Sequence, residues 1–152
     1  GEMHTQYLEV LKRSKGKLET LPIEFFQNLP SIFFLTVYTS NTQLLGWKIT
    51  LSYEDKYYFF LGGIDYSTRS KFNTYFNLLL DILKEGIENK ARVIDFGQTA
   101  EVPKMRLGCN IDEKMMLAHH SWPLFRKLLK VGKKALEYSS PVKEVHVYKA
   151  SS

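Results

Sequence analysis

The sequence has only one cysteine, Cys109, and no apolar run that approaches the ~20 residues needed to span a bilayer. A single cysteine excludes an internal disulfide framework and is typical of a reducing compartment, so we expect a cytoplasmic location. The chain does not open with a basic segment followed by an apolar one, so no signal peptide is predicted. Because residue 1 is Gly rather than Met, we interpret the chain as a fragment of a longer protein.

Several catalytic and binding motifs are also missing. The sequence contains no phosphate-binding loop, no Rossmann glycine motif and no Gly-x-Ser-x-Gly nucleophile motif. His119 and His120 are adjacent, so on a strand they would point to opposite faces, and no further zinc ligands accompany them. Cys109 has no visible paired base that would activate it as a nucleophile. We therefore expect neither a metal site nor a tightly bound cofactor.

The composition is that of a globular protein. The 152 residues are predicted to form one domain, residues 1–152. A hydrophobic content of 44% and a charged content of 24% are ordinary, whereas an aromatic content of 14% is high. The aromatic residues indicate either a packed aromatic core or an aromatic-lined cleft.

The net charge of +5 is concentrated in the last third of the chain. Residues 104–152 hold 10 Lys and Arg against 4 Asp and Glu. A helix predicted over 122–138 carries many of these bases on one side. That side is either a solvated helix face or a surface that attracts RNA, cofactor phosphates or anionic lipid. No RNA-binding signature accompanies it.

A predicted strand–helix–strand unit lies in the middle of the chain. Residues 57–61 are apolar and aromatic, which is typical of a strand buried on both faces, and Gly62 ends it. Residues 70–89 are apolar around much of a helix, which predicts a helix that is covered on both sides, with Ser70 as its N-cap. Residues 92–96 form a second short strand. Such a unit implies a parallel or mixed sheet.

Ligands of such sheets sit beyond the carboxyl ends of the strands. Because the two strands are expected to be neighbours, we expect both of their ends to open into a common hollow. The residues at those ends are Asp65, Tyr66, Gly97 and Gln98.

The remaining elements complete the order α α β β β α β α β α β, a mixed α/β (α+β) fold. The first three strands are predicted to form an antiparallel meander. The other predicted helices are 5–13, 22–28 and 101–107, and the other predicted strands are 32–38, 44–53, 115–119 and 144–148.

Three segments, together with the two helices ahead of the meander, give the chain a resemblance to a known family. Residues 62–66 read GGIDY after the third strand, and residues 94–99 read IDFGQT before KMRLGC at 104–109. This pattern resembles the GNAT superfamily of N-acyltransferases, and more closely its Fem-like branch of acyl- and aminoacyl-transferases. It is also similar to a segment of bacterial leucyl/phenylalanyl-transfer-RNA–protein transferases.

The resemblance implies a GNAT fold, in which an antiparallel meander joins a βαβ unit with helices on both faces. It implies transfer of an acyl, acetyl or aminoacyl group to an amine acceptor. The donor would be an activated ester or thioester, such as acetyl-CoA or another acyl-CoA as co-substrate, an acyl carrier, or an aminoacyl-tRNA. Fem-like enzymes are commonly two such domains in tandem, so the chain would be the C-terminal one, with an N-terminal partner domain or a homodimer partner. No DNA partner is implied.

Acyl transfer needs positioned partners, a polarised carbonyl and the management of one proton. The candidate catalytic residues are Asp65, Tyr66 and Gln98. Asp65 could instead stabilise a turn, and Gln98 could be a loop hydrogen bonder. The candidate residues for binding substrate or cofactor are Gly62, Gly63, Arg69, Lys71, Asn73, Gly97, Thr99 and Lys104.

One departure from the family leaves two hypotheses open. Family members that use acetyl-CoA carry a glycine-containing loop before the long helix, whereas residues 67–71 read STRSK. A helix N-terminus flanked by Arg69 and Lys71 could still hold a phosphate, or it could be an ordinary capped start. The alternative to an enzyme is therefore a degenerate, non-catalytic GNAT domain that acts as a binding or interaction module.

Overall fold

Six α-helices and four β-strands are present in the part of the chain that the computed structural model describes, which comprises residues 1–14, 20–98, 101–112, 115, 117 and 119–132. The chain divides into two units, residues 1–100 and 101–152, and each is described by itself. Within the described residues, no helix is both long and apolar enough to cross a membrane.

The first unit contains a four-stranded sheet whose strands are β1 (Phe33–Ser40), β2 (Gln43–Tyr53), β3 (Lys56–Ile64) and β4 (Val93–Asp95). They lie in the order β1-β2-β3-β4. β1, β2 and β3 pair antiparallel, and β4 pairs parallel to β3. The sheet is therefore mixed, as predicted, with an antiparallel meander that continues through a helix into a parallel strand.

The helices of the first unit are α1 (Glu2–Arg13), α2 (Ile23–Gln27), α3 (Arg69–Phe72) and α4 (Thr74–Glu88). Neighbouring residues of a strand point to opposite faces of the sheet. In β2, the indole Nε1 of Trp47 donates to the Met3 carbonyl oxygen of α1 at 3.1 Å. The ammonium of the next residue, Lys48, lies 2.6 Å from Asp81 of α4. Helices therefore lie against both faces of the sheet.

The high aromatic content is accounted for by a core between the sheet and the N-terminal helices. Trp47 is 1% exposed, and it packs in one cluster with Tyr7 of α1 and Ile49 of β2. The Phe26 ring meets both aromatic rings edge-on, with centroids 5.1 Å from Tyr7 and 6.0 Å from Trp47. Burial of each large apolar side chain contributes about 1.5–3 kcal/mol, so this cluster is a main source of stability in the first unit.

The strand that is buried on both faces is β2 rather than β3. Residues 44–50 of β2 are all buried, whereas β3 is mostly half-buried and Phe60 is exposed. Residues 57–61 do form a strand, but the prediction that this strand is buried on both faces is wrong. Beyond β3 the sheet continues only along the first three residues of that strand, so the rest of β3 has less cover. β2, by contrast, has a full partner strand on each side.

The helix predicted over 70–89 is interrupted at Asn73. This residue has φ 47 and ψ 36, a left-handed conformation that asparagine tolerates better than most residues. It separates α3 from α4, so Ser70 lies inside α3 and is not an N-cap. The expectation that the helix is covered on both sides is also wrong, because Leu80 and Ile87 of α4 are exposed.

The described residues of the second unit form α5 (Glu101–Met105) and α6 (Pro123–Val131). Both coincide with predicted helices, although the prediction over 122–138 runs beyond the described residues. The strand predicted over 115–119 is wrong where it is described, because Met115 and Leu117 belong to no strand and are 96% and 98% exposed. Alternating apolar residues favour a strand only where a sheet can cover one side. The strand predicted over 144–148 lies outside the described residues.

Candidate functional site

In the part of the chain that the structure describes, the second half of β3 has a partner strand on one side only. β4 pairs with β3 only at Lys56, Tyr57 and Tyr58, although β3 continues to Ile64. Among the described residues, no strand pairs with this side of β3 after Tyr58. We call this side of residues 59–64 the open β3 edge. Unpaired strand backbone of this kind is a template for an extended ligand or chain.

The backbone groups of Gly62 and Ile64 point toward the open β3 edge. The N–H of Asp65 donates to the Leu45 carbonyl oxygen of β2 at 2.8 Å. Backbone groups alternate between the two sides of a strand, so Gly63 also faces β2 while Gly62 and Ile64 face away from it. A Cβ on Gly62 would lie 2.9 Å from the Trp47 carbonyl oxygen and 3.0 Å from the Phe59 ring, so packing requires a glycine here, while the Gly62 backbone groups face the edge.

Gly97 lies two residues after the end of β4 and beside Phe59 of β3. Gly97 has φ 69, in the left-handed region that favours glycine. Its N–H donates to the Asp95 carboxylate at 2.7 Å. A Cβ here would lie 2.9 Å from the Phe59 carbonyl oxygen, so any other residue would require a shift. Gln98 follows and is exposed, and Thr99 lies outside the described residues.

The residues that follow β3 and those that follow β4 do not lie close together. Gly97 lies beside Phe59, near the middle of β3, whereas Asp65 lies beyond the end of that strand. The rise of about 3.3 Å per residue places Asp65 about 15–20 Å farther along β3 than Phe59. The structure therefore brings Tyr66 next to Asp65 but brings neither Gly97 nor Gln98 there. The expectation of one hollow shared by both ends is wrong.

Asp65 organises the turn that follows β3. Its carboxylate accepts hydrogen bonds from the Ser67 hydroxyl at 2.6 Å, the Ser67 N–H at 2.8 Å, the Gln43 side-chain amide at 2.9 Å and the Thr68 hydroxyl at 3.2 Å. These hydrogen bonds, with that of the Ser67 hydroxyl the largest, lower the pKa of Asp65 against the opposing effect of burial. The carboxylate is therefore ionised and is a weak proton acceptor.

Two guanidinium groups lie near the ring of Tyr66. The Arg13 and Arg69 groups are 4.3 Å and 5.7 Å from the centroid of its ring. Burial raises the pKa of Tyr66, and the two arginine charges offset this only in part. The phenol therefore keeps its proton. Arg69 and Lys71 belong to α3, so they stand ahead of α4 rather than at its N-terminus.

Two other candidate binding residues are buried. A Cβ on Gly63 would lie 2.4 Å from the Nε1 atom of Trp47, so the indole fills the space that a side chain would need. Gly63 is therefore required for packing. Lys104 belongs to α5 of the second unit and is buried there.

A buried polar cluster on the α4 face of the sheet is absent from the sequence-based predictions. The Lys48 side chain is 0% exposed, and its ammonium lies 2.6 Å from Asp81 and 2.7 Å from Glu85. The Tyr38 hydroxyl donates to Asp81 at 2.5 Å, and the Tyr57 hydroxyl donates to Glu85. We call these five residues the Lys48 cluster.

The Lys48 cluster holds fixed protonation states. Burial, aided by hydrogen bonds to the carboxylates, raises the pKa of Tyr57 to about 12 and raises that of Tyr38 as well. Burial alone would raise the pKa of Asp81, but the hydrogen bonds from Lys48 and Tyr38 outweigh it and lower that pKa. The Tyr38 and Tyr57 hydroxyls thus keep their protons, and the Asp81 carboxylate is ionised. These states favour a role for the Lys48 cluster in stabilising the fold over a role in proton transfer.

Acid is expected to destabilise the first unit partly through Asp81. A carboxyl group whose pKa is lower in the folded state than in the unfolded state stabilises the fold at any pH above the unfolded-state pKa. This contribution is lost as the pH falls through the folded-state pKa. The urea midpoint of the wild type should therefore fall more steeply from about pH 5 to pH 2 than that of Asp81→Asn. Glu88→Gln, which removes an exposed carboxylate, is the control and should follow the wild type. Parallel curves for the wild type and Asp81→Asn would contradict the prediction.

Comparisons of the chain with protein-family models, with curated proteins and with solved structures found no match. Among the described residues, no group of three or more His, Cys, Asp or Glu side chains is placed to hold a metal ion. The candidate site is therefore described from its geometry alone. It consists of the open β3 edge, the turn after β3 that Asp65 organises, and the two cationic side chains of Arg69 and Lys71.

Proposed function

We propose that this chain is an N-acyltransferase domain of the GNAT superfamily, in its Fem-like branch. It would move an acyl, acetyl or aminoacyl group from an activated ester or thioester to an amine. The proposal rests on the open β3 edge. There the backbone groups of Gly62 and Ile64 are offered to a partner because the parallel strand β4 pairs with β3 only as far as Tyr58. The antiparallel meander that continues through α4 into β4 supports it as well.

The open β3 edge suits a donor that is itself an extended chain of amides. The pantetheine arm of acyl-CoA and of acyl carrier proteins contains two amide groups in line. Such an arm can pair with a strand edge in the way that another strand would. Beyond the strand, Arg69 and Lys71 of α3 supply positive charge for the phosphates of the donor.

Acyl transfer requires little covalent chemistry from the protein. The amine nitrogen attacks the donor carbonyl carbon, a C–N bond forms, the C–S or C–O bond to the leaving group breaks, and the amine proton passes to solvent or to the leaving group. Strand N–H groups at the edge can polarise the carbonyl, and alignment of the partners lowers the barrier. Tyr66 keeps its proton and can donate it to the leaving group, after which the proton lost by the amine restores the phenol through solvent, whereas the lowered pKa of Asp65 makes it a poor base.

A second function, donor binding without transfer, is favoured by the placement of the candidate catalytic residues. Asp65 is engaged in a turn. Gln98 follows β4, which ends about 20 Å short of Asp65 along β3. A degenerate domain of this kind would be a binding or interaction module. The two functions differ in whether product forms and not in whether the donor binds.

Acetyl-CoA is expected to raise the melting temperature of the chain. A ligand that binds only the folded state stabilises it by about 2.7 kcal/mol at a concentration of 100 Kd, which corresponds to roughly 5–10 °C for a chain of this size. Pantetheine keeps the amides and lacks the phosphates, so it should also raise the melting temperature. Adenosine 3′,5′-bisphosphate keeps two of the three phosphates of coenzyme A and lacks the amides, so its effect should be smaller.

Hydrogen exchange then locates the donor. The amides of Gly62 and Ile64 should become protected when acetyl-CoA is added. The outer edge of β1, which has no partner strand among the described residues, is the matched control and should not change. Equal protection of both edges, or no change in melting temperature with any donor, would contradict donor binding at β3.

Mass spectrometry separates the two functions. An N-acylated product from acetyl-CoA and a mixture of amines supports the transferase, whereas saturable donor binding without product supports the binding module. Aminoacyl-tRNA is tested in the same way, and its binding should weaken steeply with salt.

A further inference from the structure

Helix α6 carries its apolar and its basic side chains on opposite sides. At 3.6 residues per turn, all three bases of the helix fall on one side, and they are Arg126, Lys127 and Lys130. The other side, which we call the apolar side of α6, consists of Trp122 at the N-cap and of Leu124, Phe125, Leu128, Leu129 and Val131. Residues 122–132 contain no Asp or Glu. α6 is therefore an amphipathic helix with a net positive charge.

The apolar side of α6 is exposed to solvent. Five of its six side chains are between 48% and 86% exposed, and Leu129 is half-buried. Leu124, Leu128 and Val131 follow one another at helical spacing, so the exposed groups form one patch. Single exposed apolar residues are ordinary, whereas a contiguous apolar patch rimmed by polar residues marks an interaction surface.

The first turn of α6 is ordered by contacts within the second unit. The Trp122 N–H donates to the Nδ1 atom of His120 at 3.1 Å. The His120 ring also lies against Phe125, with ring centroids 4.8 Å apart. Pro123 occupies the first helical turn, where its fixed φ favours the helix. Because this turn is already ordered, less conformational entropy is lost when a partner binds.

An anionic bilayer surface matches both sides of α6, whereas other partners match only one. RNA would engage the bases through its phosphates and leave the apolar side in water. An apolar groove on a protein would cover the apolar side and make no use of the bases. At an anionic bilayer, the apolar side chains enter the boundary of the acyl chains, and the long Arg and Lys side chains reach back to the headgroup phosphates.

We propose that α6 binds the surface of an anionic lipid bilayer. A helix of nine residues is about 14 Å long, whereas the hydrocarbon core is about 30 Å thick, so α6 lies in the plane of the interface. The binding is independent of the proposed acyl transfer, because the open β3 edge contributes nothing to it.

Co-sedimentation of the complete chain with sucrose-loaded vesicles tests the proposal. Vesicles of phosphatidylcholine with about 30% phosphatidylserine should bind the chain at least about tenfold more tightly than vesicles of phosphatidylcholine alone, because each base near an anionic surface strengthens binding. Added salt should weaken the binding. Equal binding to both kinds of vesicle, or binding to neither, would overturn the proposal.

Trp122 reports whether the apolar side enters the bilayer. Phosphatidylcholine with brominated acyl chains should quench the fluorescence of the bound chain, since Trp122 lies at the start of the apolar side. Trp47 is buried in the first unit, so Trp122→Phe should abolish the quenching while the chain still binds. A bound chain without quenching would be held by its bases alone, and this result would overturn the proposal.

Leu128→Asn and Ile87→Asn provide a matched pair of variants. Each replaces an apolar side chain on a helix surface, with exposures of 57% and 63%, but only Leu128 belongs to the apolar side of α6. Burial of one large apolar side chain corresponds to roughly a ten- to hundredfold change in affinity, so Leu128→Asn should weaken vesicle binding by at least about tenfold. Ile87→Asn should stay within about twofold of the wild type. Equal changes in the two variants would overturn the proposal.

Lys127→Gln and Lys84→Gln separate the charge of α6 from the net charge of the chain. Both lysines are exposed on helices. One base near an anionic surface corresponds to roughly a fivefold change in affinity, which we expect for Lys127→Gln. Lys84→Gln should stay within about twofold of the wild type. Equal weakening by both would mean that vesicles respond to net charge alone, and would overturn the proposal.

Other occupants of the apolar side give different results in the absence of lipid. If the rest of the chain covered it, Leu128→Asn would lower the melting temperature. If a second copy covered it, the wild type would sediment as an oligomer and Leu128→Asn as a monomer. RNA binding that Leu128→Asn leaves unchanged, together with no vesicle binding, would assign the helix to nucleic acid. Each of these results would overturn the proposal.

Discussion

Replacement of Lys48 by Met is expected to lower the free energy of unfolding by about 3 kcal/mol. Met is close to Lys in length and fills the same space, so the change removes the charge with little change in packing. The loss should be visible as a lower urea midpoint in the fluorescence of Trp47, which is buried on the other face of the same strand.

The size of this effect follows from the surroundings of Lys48. Its ammonium is fully buried between Asp81 and Glu85, whose side chains are 31% and 26% exposed. Without the lysine, two neighbouring carboxylates repel each other and have lost their counter-charge. Breaking a buried ion pair by removing one partner costs about 3–5 kcal/mol, and the partial exposure of the two acids favours the lower end of that range.

Lys84→Met is the matched control for Lys48→Met. Lys84 is also on the α4 side of the sheet, but it is exposed and lies 3.8 Å from Glu88. Its replacement should change stability by no more than about 0.5 kcal/mol. Adding Asp81→Asn and Glu85→Gln to Lys48→Met should recover part of the loss, because it removes the uncompensated charges. Equal stability of Lys48→Met and Lys84→Met would show that the cluster contributes little.

The Lys48 cluster illustrates what the sequence predicts and what it does not. Periodicity and β-branched content predict the strand over 44–53 and the helix that holds Asp81 and Glu85, because these signals are local. A lysine within an apolar strand indicates a buried partner, and two acids one helical turn apart can share one cation. The pairing itself depends on where α4 crosses β2, which no local pattern encodes.

The candidate site differs from its prediction for a similar reason. The sequence predicts correctly that the β3 and β4 strands are parallel neighbours. It does not give their register, because β4 starts beside Lys56 and pairs for only three residues while β3 runs for nine. The end of β4 therefore falls at the middle of β3, and Gln98 is separated from Asp65. The same mismatch produces the open β3 edge, which a strand-by-strand prediction does not reveal.

Gly63→Ala is expected to lower the free energy of unfolding by about 1–3 kcal/mol, the usual cost of overpacking a core. The added methyl would lie 2.4 Å from Nε1 and 2.8 Å from Cε2 of Trp47, and 3.0 Å from Cβ of Gln6. Trp47 cannot easily move, since it is fully buried and its Nε1 donates to the Met3 carbonyl oxygen. Gly1→Ala, where an added Cβ meets nothing within 4 Å, is the control and should be neutral.

A double-mutant cycle with Trp47→Phe tests this cause directly. The smaller ring leaves room for the methyl, so Gly63→Ala should cost less in the Trp47→Phe background, with a coupling of about 0.5–3 kcal/mol. If Gly63 instead served the close approach of a ligand, Gly63→Ala would keep the stability of the wild type and weaken acetyl-CoA binding. Packing is favoured because the backbone groups of Gly63 face β2, whereas those of Gly62 face the open β3 edge. Of the two adjacent glycines, Gly62 is therefore the one whose backbone groups face the open β3 edge, where a ligand could pair with them.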